Sequence, residues 1–393
     1  MKSYFQSRTN LTSIIALAAM ILSTLLPAFA GGGSFYPVGG KNLTYTVGHG
    51  ENLLSIAEKY HMAAEHLMWA NGRKVIDVPE GTSIVIPAKR IVPKQKDQPD
   101  SSIVVNVPEY MVYLFGDKGV INYYPIAAGA PATPTPITKT KVIEKVKNPT
   151  WVPPEWAGGG DPVPPGTSNP LGDRWVGLSI PGYGIHSTTS PSSIGLSASH
   201  GCMRMRPANA RAFFDLVKVG MPVSIIYEPV LIGQDSKTKI VYMSVFPDTY
   251  SRIGNYYNHT MEKLSLYGIE NIVDTDAVKS AINAKSGTPV PILGTDIEIT
   301  VNGEPAELEL PPVSRSGKLY VTDTFFDRLG VTNEFDGETM TFRKGELSCS
   351  YRVFPDFSWN GEYLIPLRDV LEKLGITTEF GEREVRITCL DEY

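Results

Sequence analysis

A cysteine stands beside a histidine and a glycine in the stretch Ser199–Met205, which reads SHGCMRM. Arg204 follows Cys202 by two residues, and a second histidine, His186, lies sixteen residues upstream. Only the thiolate form of cysteine is a good nucleophile, and a nearby imidazole or guanidinium can lower the thiol pKa from its ordinary value of about 8.5. The motif therefore predicts covalent chemistry at Cys202, with thiol alkylation that stays fast well below pH 8.

The first thirty residues have the composition of an export signal. Lys2 and Arg8 precede an apolar run over 11–26, and Ala28–Ala30 forms an A-x-A-like cleavage site. An uncleaved anchor is the alternative, because the run is close to the minimum length for a membrane span. We expect a signal peptide over 1–30, no membrane span in the mature chain and a location outside the cytoplasmic membrane. A free thiol is open to oxidation there, which favours a chemical use for the cysteine.

The composition is that of a protein with several domains. The chain has 393 residues, enough for about two to four domains. The net charge is −5 without a basic run, which argues against nucleic acid as the main partner. Three cysteines are too few for a disulfide scaffold. Cys349 and Cys389 are predicted either to pair with each other or to remain as two buried free thiols.

Residues 43–88 have the pattern of a small unit built from two strands and two helices. The predicted elements are a strand at 43–47, helices at 52–60 and 64–70, and a strand at 83–87. Alternating apolar residues indicate the first strand, and Asn52 is the predicted cap of the first helix. Three histidines are predicted to lie at the surface and to bind no metal: His49, His61 and His66.

This unit resembles a LysM module, a type of module that binds peptidoglycan and chitin. The resemblance is carried by Tyr45–Val47, Gly50–Leu53, Ser55–Ala57, Ala70–Asn71 and Ile84–Pro87. It implies binding to glycan strands, and a folded spacer without a ligand is the alternative. Residues 89–101 follow as a predicted linker, because Lys, Gln, Asp and Pro dominate there.

Residues 102–227 are predicted to form a mainly β domain. Strands are expected at 102–107, 111–115, 123–128, 175–180 and, as the closing strand, 222–227, with a helix at 208–217. Glycine and proline are dense from 129 to 184, which predicts long ordered loops on a β scaffold.

The central domain resembles the YkuD-type L,D-transpeptidases of bacterial cell walls. Beside the nucleophile motif, the matching motifs are NPTW at 148–151, PP at 153–154, NPLG at 169–172, RW at 174–175, PGYGIH at 181–186 and SIG at 193–195. The resemblance implies that the cysteine attacks a peptidoglycan tetrapeptide stem and expels the terminal D-alanine. The thioester would then pass to the side-chain amine of another stem. No metal and no cofactor are expected.

The resemblance also implies a role for each residue of the motif. Cys202 is the predicted nucleophile, and His186 is the predicted general base and later acid. Ser187 is expected to fix the imidazole tautomer through its backbone. The backbone N–H groups of Gly201 and Cys202 are expected to bind the developing oxyanion.

Four further side chains carry less specific predictions. His200 is expected to position the turn or to assist, with structural bracing as the alternative. Arg204 is expected to pair with a substrate carboxylate or to brace the loop. Tyr183 and Trp175 are predicted to line the donor groove as substrate-binding residues, with core or groove-wall positions as the alternative.

Residues 228–293 are predicted to form an α/β connecting segment after the central domain. A strand is expected at 240–245, with amphipathic helices at about 249–267 and 274–283.

Residues 296–390 contain an internal repeat, in which 318–335 recurs about 45 residues later as 363–380. Each copy is predicted to form a strand, a short helix ended by glycine, and a strand. The pair resembles the stalk domain first described at the N-terminus of copper amine oxidases, and the second copy keeps its PLR at 366–368. The region has no histidine, so copper binding is not expected and a spacer or wall-docking role is predicted.

The sequence thus predicts a multi-domain protein with a β-α-α-β LysM module, a mainly β L,D-transpeptidase catalytic domain and an α+β repeat-containing C-terminal domain. The expected partner is peptidoglycan, with glycan strands at the module and stem peptides at the catalytic site. Two other functions stay open. One is an L,D-carboxypeptidase or amidase with water as acceptor, and the other is a wall-binding structural protein. The expected location is secreted or cell-wall associated.

Overall fold

The computed structural model describes residues 35–93, 99–155 and 159–389, and the predicted signal peptide lies outside these ranges. Strands dominate the described chain, and separate apolar cores form in its N-terminal, central and C-terminal parts. Within the same ranges, no helix combines the length and the apolar character that crossing a membrane requires. The fold is therefore multi-domain and mostly β.

The N-terminal part contains the predicted small unit and two additional strands. Its elements are β1 (Tyr36–Gly39), β2 (Leu43–Thr46), α1 (Leu53–Lys59), α2 (Ala64–Ala70), β3 (Ser83–Ile86) and β4 (Arg90–Ile91). Strand β2 pairs antiparallel with β3, which confirms the predicted strand–helix–helix–strand order. Asn52 caps α1 as predicted, because its side chain accepts the N–H groups of Leu54 and Ser55 at 3.1 and 3.0 Å.

Helix α2 faces the central domain, so the prediction that His66 lies at the surface is wrong. Only 5% of His66 is exposed. Its Nδ1 accepts the Ala63 N–H at 3.3 Å, and its Nε2 donates to the carbonyl oxygen of Glu109 at 2.8 Å. The imidazole thereby accepts the N–H of the N-cap residue, although Ala63 itself has no side chain that could cap α2. Burial lowers the pKa of His66 to about 3. His49 and His61 are exposed, as predicted.

The central part is one eight-stranded sheet with a helix and a small strand pair. Its elements are β5 (Ser102–Asn106), β6 (Met111–Gly116), β7 (Gly119–Pro125), β8 (Ala128–Gly129), β9 (Thr138–Lys147), β10 (Arg174–Leu178), β11 (Gly184–Ser187), β12 (Ser197–Ser199), β13 (Met203–Met205), α3 (Pro207–Leu216) and β14 (Pro222–Ile226). The sheet order is β13-β11-β10-β9-β14-β5-β6-β7, and β8 pairs with β12. The predicted closing strand at 222–227 is confirmed as β14, the last strand of this sheet along the chain, and it lies inside the sheet between β9 and β5.

The part that follows the central sheet forms a five-stranded sheet together with β1 and β4 of the N-terminal part. Its elements are β15 (Val230–Gln234), β16 (Val241–Val245), α4 (Tyr256–Ser265), α5 (Thr275–Ala284) and β17 (Val290–Leu293). The sheet order is β17-β16-β15-β1-β4. Residues 228–293 are therefore more than a connecting segment, and the predicted linker 89–101 begins as a strand. Ile91 explains this start, because it is buried against Leu231 and Phe246.

Helix α4 begins at Tyr256, later than the predicted start near Thr249. The Asp248 carboxylate accepts the N–H groups of Arg252 and Ile253 at 2.9 and 2.6 Å, which closes residues 248–253 into a loop. We call this segment the 248–253 loop. The Asp248 carboxylate accepts N–H groups that would otherwise form hydrogen bonds within a helix, so α4 starts only after this loop.

The C-terminal part confirms the internal repeat. Its elements are β18 (Glu298–Val301), β19 (Glu304–Pro305), β20 (Val313–Arg315), β21 (Lys318–Thr322), a 3-10 helix (Asp323–Leu329), β22 (Thr332–Phe335), β23 (Thr339–Lys344), β24 (Leu347–Arg352), β25 (Ser358–Trp359), β26 (Glu362–Pro366), α6 (Leu367–Lys373), β27 (Thr377–Phe380) and β28 (Glu384–Thr388). Strands β21 and β26, which open the two copies, pair antiparallel. Gly330 and Gly375 end the two helices with φ values of 67° and 64°.

Cys349 is a buried free thiol in this part. No disulfide joins it to Cys389 in the described ranges. Cys349 therefore fits the second alternative, a buried free thiol, whereas Cys389 is only half-buried. Cys349 packs in the apolar core of the C-terminal part, which also contains Phe342 and Leu371.

Candidate active site

Strands β11 and β13 bring the predicted nucleophile and base together. The strands run parallel, with His186 level with Arg204. Cys202 directly precedes β13, so the same register sets it level with Gly184. Because side chains alternate along a strand, His186, Cys202 and Arg204 share one face of the sheet, and the Cα atoms of the first two lie roughly 8 Å apart. The sheet register therefore places the sulfur and the imidazole on the same face of the sheet.

The thiol of Cys202 is half-buried and carries its proton at rest. Its Sγ donates to the carbonyl oxygen of Gly182 at 3.4 Å, a bond that only the S–H form can make. Burial raises the pKa of the thiol, while the Gly184 N–H and the charge of Arg204 act in the lowering direction without offsetting it. The expectation of a thiol pKa lowered by its neighbours is therefore wrong, because desolvation of the thiolate outweighs them.

The imidazole of His186 is buried, with 5% of the residue exposed. Its Nδ1 donates to the Ser187 carbonyl oxygen at 2.5 Å. The neutral ring thus carries its proton on Nδ1 and a lone pair on Nε2, and Ser187 makes the backbone contact expected of it. Burial lowers the pKa of His186 to about 4, although the carbonyl groups of Ser187 and Leu171 act to raise it. The resting site therefore combines a neutral thiol with a neutral imidazole.

Trp175 lies on β10 as the register partner of His186. Its Nε1 donates to Oε1 of Glu144 on β9 at 2.8 Å. Two glycines make room for this arrangement. A Cβ at Gly177 would lie 2.5 Å from the Glu144 side chain, and one at Gly184 would lie 2.6 Å from the indole. Sequence reasoning missed Glu144, because nothing in the chain signals a carboxylate on the third strand away from the nucleophile.

Tyr183 is half-buried and covers the turn before the nucleophile. Gly201 has a φ of +109°, and a Cβ there would lie 2.5 Å from Cε1 of Tyr183. Both the backbone conformation and the neighbouring ring therefore require glycine at this position. The ring contact ties Tyr183 to the nucleophile turn, so its position fits the predicted groove wall.

The backbone N–H of Gly201 is already used and is not available to an oxyanion. It donates to Oγ of Ser199 at 3.1 Å, and that hydroxyl donates to the Cys202 carbonyl oxygen at 2.5 Å. The prediction for Gly201 is therefore wrong in the resting structure. The Cys202 N–H stays a predicted oxyanion donor. Ser199 is a residue of the site that sequence reasoning did not single out, although it lies inside the motif.

His200 and Arg204 differ in their position relative to the sulfur. His200 is exposed on the outside of the turn. Arg204 is half-buried, and its charge acts on both neighbours: it lowers the pKa of the Cys202 thiol and of the His186 imidazole. Arg204 therefore belongs to the site electrostatically, whereas both alternatives for His200 stay predictions.

Asn169 holds the loop that leads into β10. It is fully buried, and its Nδ2 donates to the carbonyl oxygens of Pro149 and Val163 at 2.8 and 3.1 Å. Its Oδ1 accepts the Leu171 N–H at 2.9 Å. The loop brings the Leu171 carbonyl to His186. The NPLG motif thus serves the site by shaping this loop.

No group of three His, Cys, Asp or Glu side chains in the described ranges is arranged to hold a metal ion.

Comparison with known proteins relates the central part of the chain to one family. Residues 100–225 match the family model described as the L,D-transpeptidase catalytic domain, YkuD. The chain is 34% identical over 208 residues to the Escherichia coli (strain K12) protein named probable L,D-transpeptidase YbiS, covering 49% of this chain and 66% of that protein. It is 33% identical over 183 residues to YkuD of Bacillus subtilis (strain 168), covering 47% of this chain and 98% of that protein. The solved catalytic domain from E. faecium L,D-transpeptidase is 25% identical, with a TM-score of 0.28, covering 33% of this chain and 99% of that one.

Proposed function

Because the chain belongs to the YkuD-type L,D-transpeptidases, an acyltransferase family, we propose that it is a cysteine acyltransferase acting on peptidoglycan tetrapeptide stems. The observation that carries the proposal is the shared face of His186, Cys202 and Arg204 on neighbouring strands. The matched part of the chain covers only 66% of the length of YbiS. Substrate and outcome are therefore argued from the site itself.

In the first half-reaction, Cys202 attacks the carbonyl carbon of the L-centre that precedes the terminal D-alanine. As the C–S bond forms, the thiol proton moves to Nε2 of His186, whose neutral state leaves that nitrogen free to accept it. The tetrahedral intermediate then collapses by breaking the C–N bond. The imidazolium returns its proton to the leaving amine, and D-alanine departs from a thioester.

In the second half-reaction, the side-chain amine of another stem attacks the thioester. Neutral His186 removes the proton from the incoming nitrogen, and the sulfur recovers a proton as the C–S bond breaks. The Cys202 N–H is the proposed donor to the oxyanion in both halves. A neutral resting pair suits this cycle, because the imidazolium then forms only during the chemical steps, beside the carbonyl groups of Ser187 and Leu171.

Arg204 is the proposed partner of a substrate carboxylate. It lies on the face shared with Cys202 and is only half-buried, so part of the residue remains accessible. Tyr183 and Trp175 are the proposed walls of the donor groove, with Trp175 contributing through its contact with the base.

Residues 43–88 are proposed to bind the glycan strands as a LysM module. Their strand–helix–helix–strand order and separate apolar core support this assignment. Residues 296–390 are proposed to act as a stalk-type spacer or wall-docking domain, which the paired repeat supports. A protein that acts on the wall works outside the cytoplasmic membrane, so the proposed location is secreted or cell-wall associated.

Muropeptide analysis tests the reaction. Purified protein would be incubated with disaccharide-tetrapeptide, and the products separated by liquid chromatography with mass detection. We expect free D-alanine and cross-linked dimers with the wild type and neither with Cys202→Ser. Shortened monomers without dimers would instead identify an L,D-carboxypeptidase, with water as the acceptor.

A second experiment separates an enzyme from a wall-binding structural protein. A carbapenem presents an acyl group to the nucleophile without needing an acceptor. We expect intact-mass analysis to find one covalent adduct on the wild type, mapped to Cys202, and none on Cys202→Ser. No adduct on the wild type, under conditions that label a control L,D-transpeptidase, would favour the structural protein.

A further inference from the structure

The 248–253 loop lies outside the stretch 100–225 that matches the family model, yet it reaches the catalytic domain. The Tyr250 hydroxyl donates to the Gly129 carbonyl oxygen at 3.0 Å and accepts the Thr135 N–H at 3.0 Å. Thr135 is fully buried, and Gly129 is buried on β8. One phenol from the following domain therefore satisfies two buried backbone groups of the catalytic domain.

Thr135 extends this contact to the nucleophile turn. Its Oγ1 accepts the Gly129 N–H at 2.9 Å and donates to the Gly201 carbonyl oxygen at 2.9 Å. Gly201 is bonded directly to Cys202. The hydroxyl groups of Tyr250 and Thr135 thus each donate one hydrogen bond and accept one. Through them, a continuous chain of hydrogen bonds runs from Tyr250 to Gly201.

The loop is itself firmly held, so it can act as a support. The Tyr250 ring stacks on Tyr227 with 5.5 Å between centroids, and the Tyr250 N–H donates to the Tyr227 hydroxyl at 2.8 Å. The guanidinium of Arg252 lies within 5.6 Å of both ring centroids. The Tyr110 hydroxyl adds a second connection, because it lies 3.0 Å from the hydroxyl groups of both Thr249 and Ser197 on β12.

We propose that Tyr250 is a positioning residue, which acts through Thr135 on the Gly201 carbonyl and so fixes the turn that presents Cys202. The domain that follows the catalytic domain then takes part in the reaction by orienting the nucleophile. The inference rests on the proposed function, because its kinetic test measures acylation of Cys202. It makes the 248–253 loop part of the catalytic unit of this chain, although the family model ends before it.

The test compares Tyr250→Phe with Tyr256→Phe in the full chain. Tyr256 is a matched control, because its hydroxyl donates to the Phe246 carbonyl oxygen at 2.7 Å within the same domain. Acylation by imipenem would be followed at several concentrations, which separates non-covalent binding from the acylation rate constant. A misplaced nucleophile lowers the rate constant by about tenfold or more, while binding changes little. We expect this loss in Tyr250→Phe only.

Thr135 provides a second pair of variants. Thr135→Val removes the hydroxyl at nearly constant volume and should reproduce the loss, whereas Thr135→Ser keeps the hydroxyl and should retain most of the rate. Thermal unfolding of all four variants shows how much of each effect is general destabilisation. Equal acylation rate constants in Tyr250→Phe and Tyr256→Phe would overturn the inference, as would a loss in Thr135→Ser as large as in Thr135→Val.

Failure of the proposed function gives a different result. In that case the wild type itself forms no imipenem adduct. The rate of Cys202 alkylation by iodoacetamide, measured on the Cys202 peptide by mass spectrometry, then decides the inference. A changed rate in Tyr250→Phe with an unchanged rate in Tyr256→Phe supports it, and identical rates overturn it.

Discussion

The indole of Trp175 lies against the imidazole of His186, with ring centroids 5.8 Å apart and ring planes inclined by 35°. The two residues are register partners on adjacent antiparallel strands, so the sheet fixes their approach. Glu144 fixes the indole from its other end through Nε1. The imidazole is therefore held in one orientation from two sides, by the Ser187 carbonyl and by the tryptophan.

Glu144→Ala should lower the rate of acylation while leaving the fold intact. The substitution removes the acceptor of the Trp175 N–H, so the indole is less restrained against His186. One lost hydrogen bond of about 1 kcal/mol corresponds to a loss of about fivefold. The measurement is the rate of carbapenem acylation at neutral pH. Glu144→Gln, which retains an acceptor oxygen, serves as the control and should stay close to the wild type. Equal rates in all three proteins would remove Glu144 from the site.

Alkylation of Cys202 by iodoacetamide should be slow at neutral pH and should rise as the pH passes above the ordinary thiol pKa. Burial raises the thiol pKa, so the reactive thiolate is a minor species near pH 7. The rate would be measured on the Cys202 peptide from pH 5 to pH 10. His186→Ala should leave this profile nearly unchanged, because the imidazole is already neutral there. A rate plateau near pH 6 that disappears in His186→Ala would instead reveal a preformed ion pair.

Acylation should have a different pH dependence from alkylation. It needs neutral His186 as the base, and the pKa of that group is lowered to about 4. The base form therefore dominates above this value and is lost as the pH falls through it. We expect wild-type carbapenem acylation to stay near its maximum down to about pH 5, and His186→Ala to lose about a hundredfold or more at pH 7. An acylation rate that falls between pH 7 and pH 6 would contradict the lowered pKa.

Local pattern allowed many elements of the fold to be predicted and singled out Cys202 and His186 as candidate site residues. The small N-terminal unit, the C-terminal repeat and the pair of Cys202 and His186 follow from alternation, turn residues and motif spacing. The pKa of the thiol does not, because it depends on how deeply the sheet buries the sulfur. The use of the Gly201 N–H by Ser199 likewise depends on the closed form of the turn.

Contacts between distant segments were the part that sequence could not supply. Strand β4 joins a sheet whose other members lie mostly beyond residue 230, so these two residues beside a polar stretch gave no sign of a strand. Tyr250 and Thr135 are separated by more than a hundred residues, and neither belongs to a motif with chemistry of its own. The burial of His66 could not be predicted for the same reason, because it depends on contact with Glu109 in another domain.

The free energy of unfolding should fall with acid because of His66. Its pKa is about 3 when folded and near 6.5 when unfolded, so the unfolded chain binds more protons between these values and stability rises with pH through that window. From pH 7 to pH 4.5 this amounts to about 2.5 kcal/mol, because the full slope of roughly 1.4 kcal/mol per pH unit applies only below pH 6.5. Urea unfolding at pH 7 and pH 4.5 measures the loss in the wild type and in His66→Gln.

His66→Gln should lose less stability than the wild type on acidification, because glutamine does not titrate while its amide can still accept the Ala63 N–H and donate to the Glu109 carbonyl. His61→Gln is the matched control, since His61 is exposed in the same unit, and it should lose as much as the wild type. If His66→Gln and His61→Gln responded equally to acid, the buried imidazole would not account for the dependence. The docking of α2 on the central domain would then have to be held by other contacts, of which the Arg206 bond to the Met62 carbonyl oxygen at 2.9 Å is the nearest alternative.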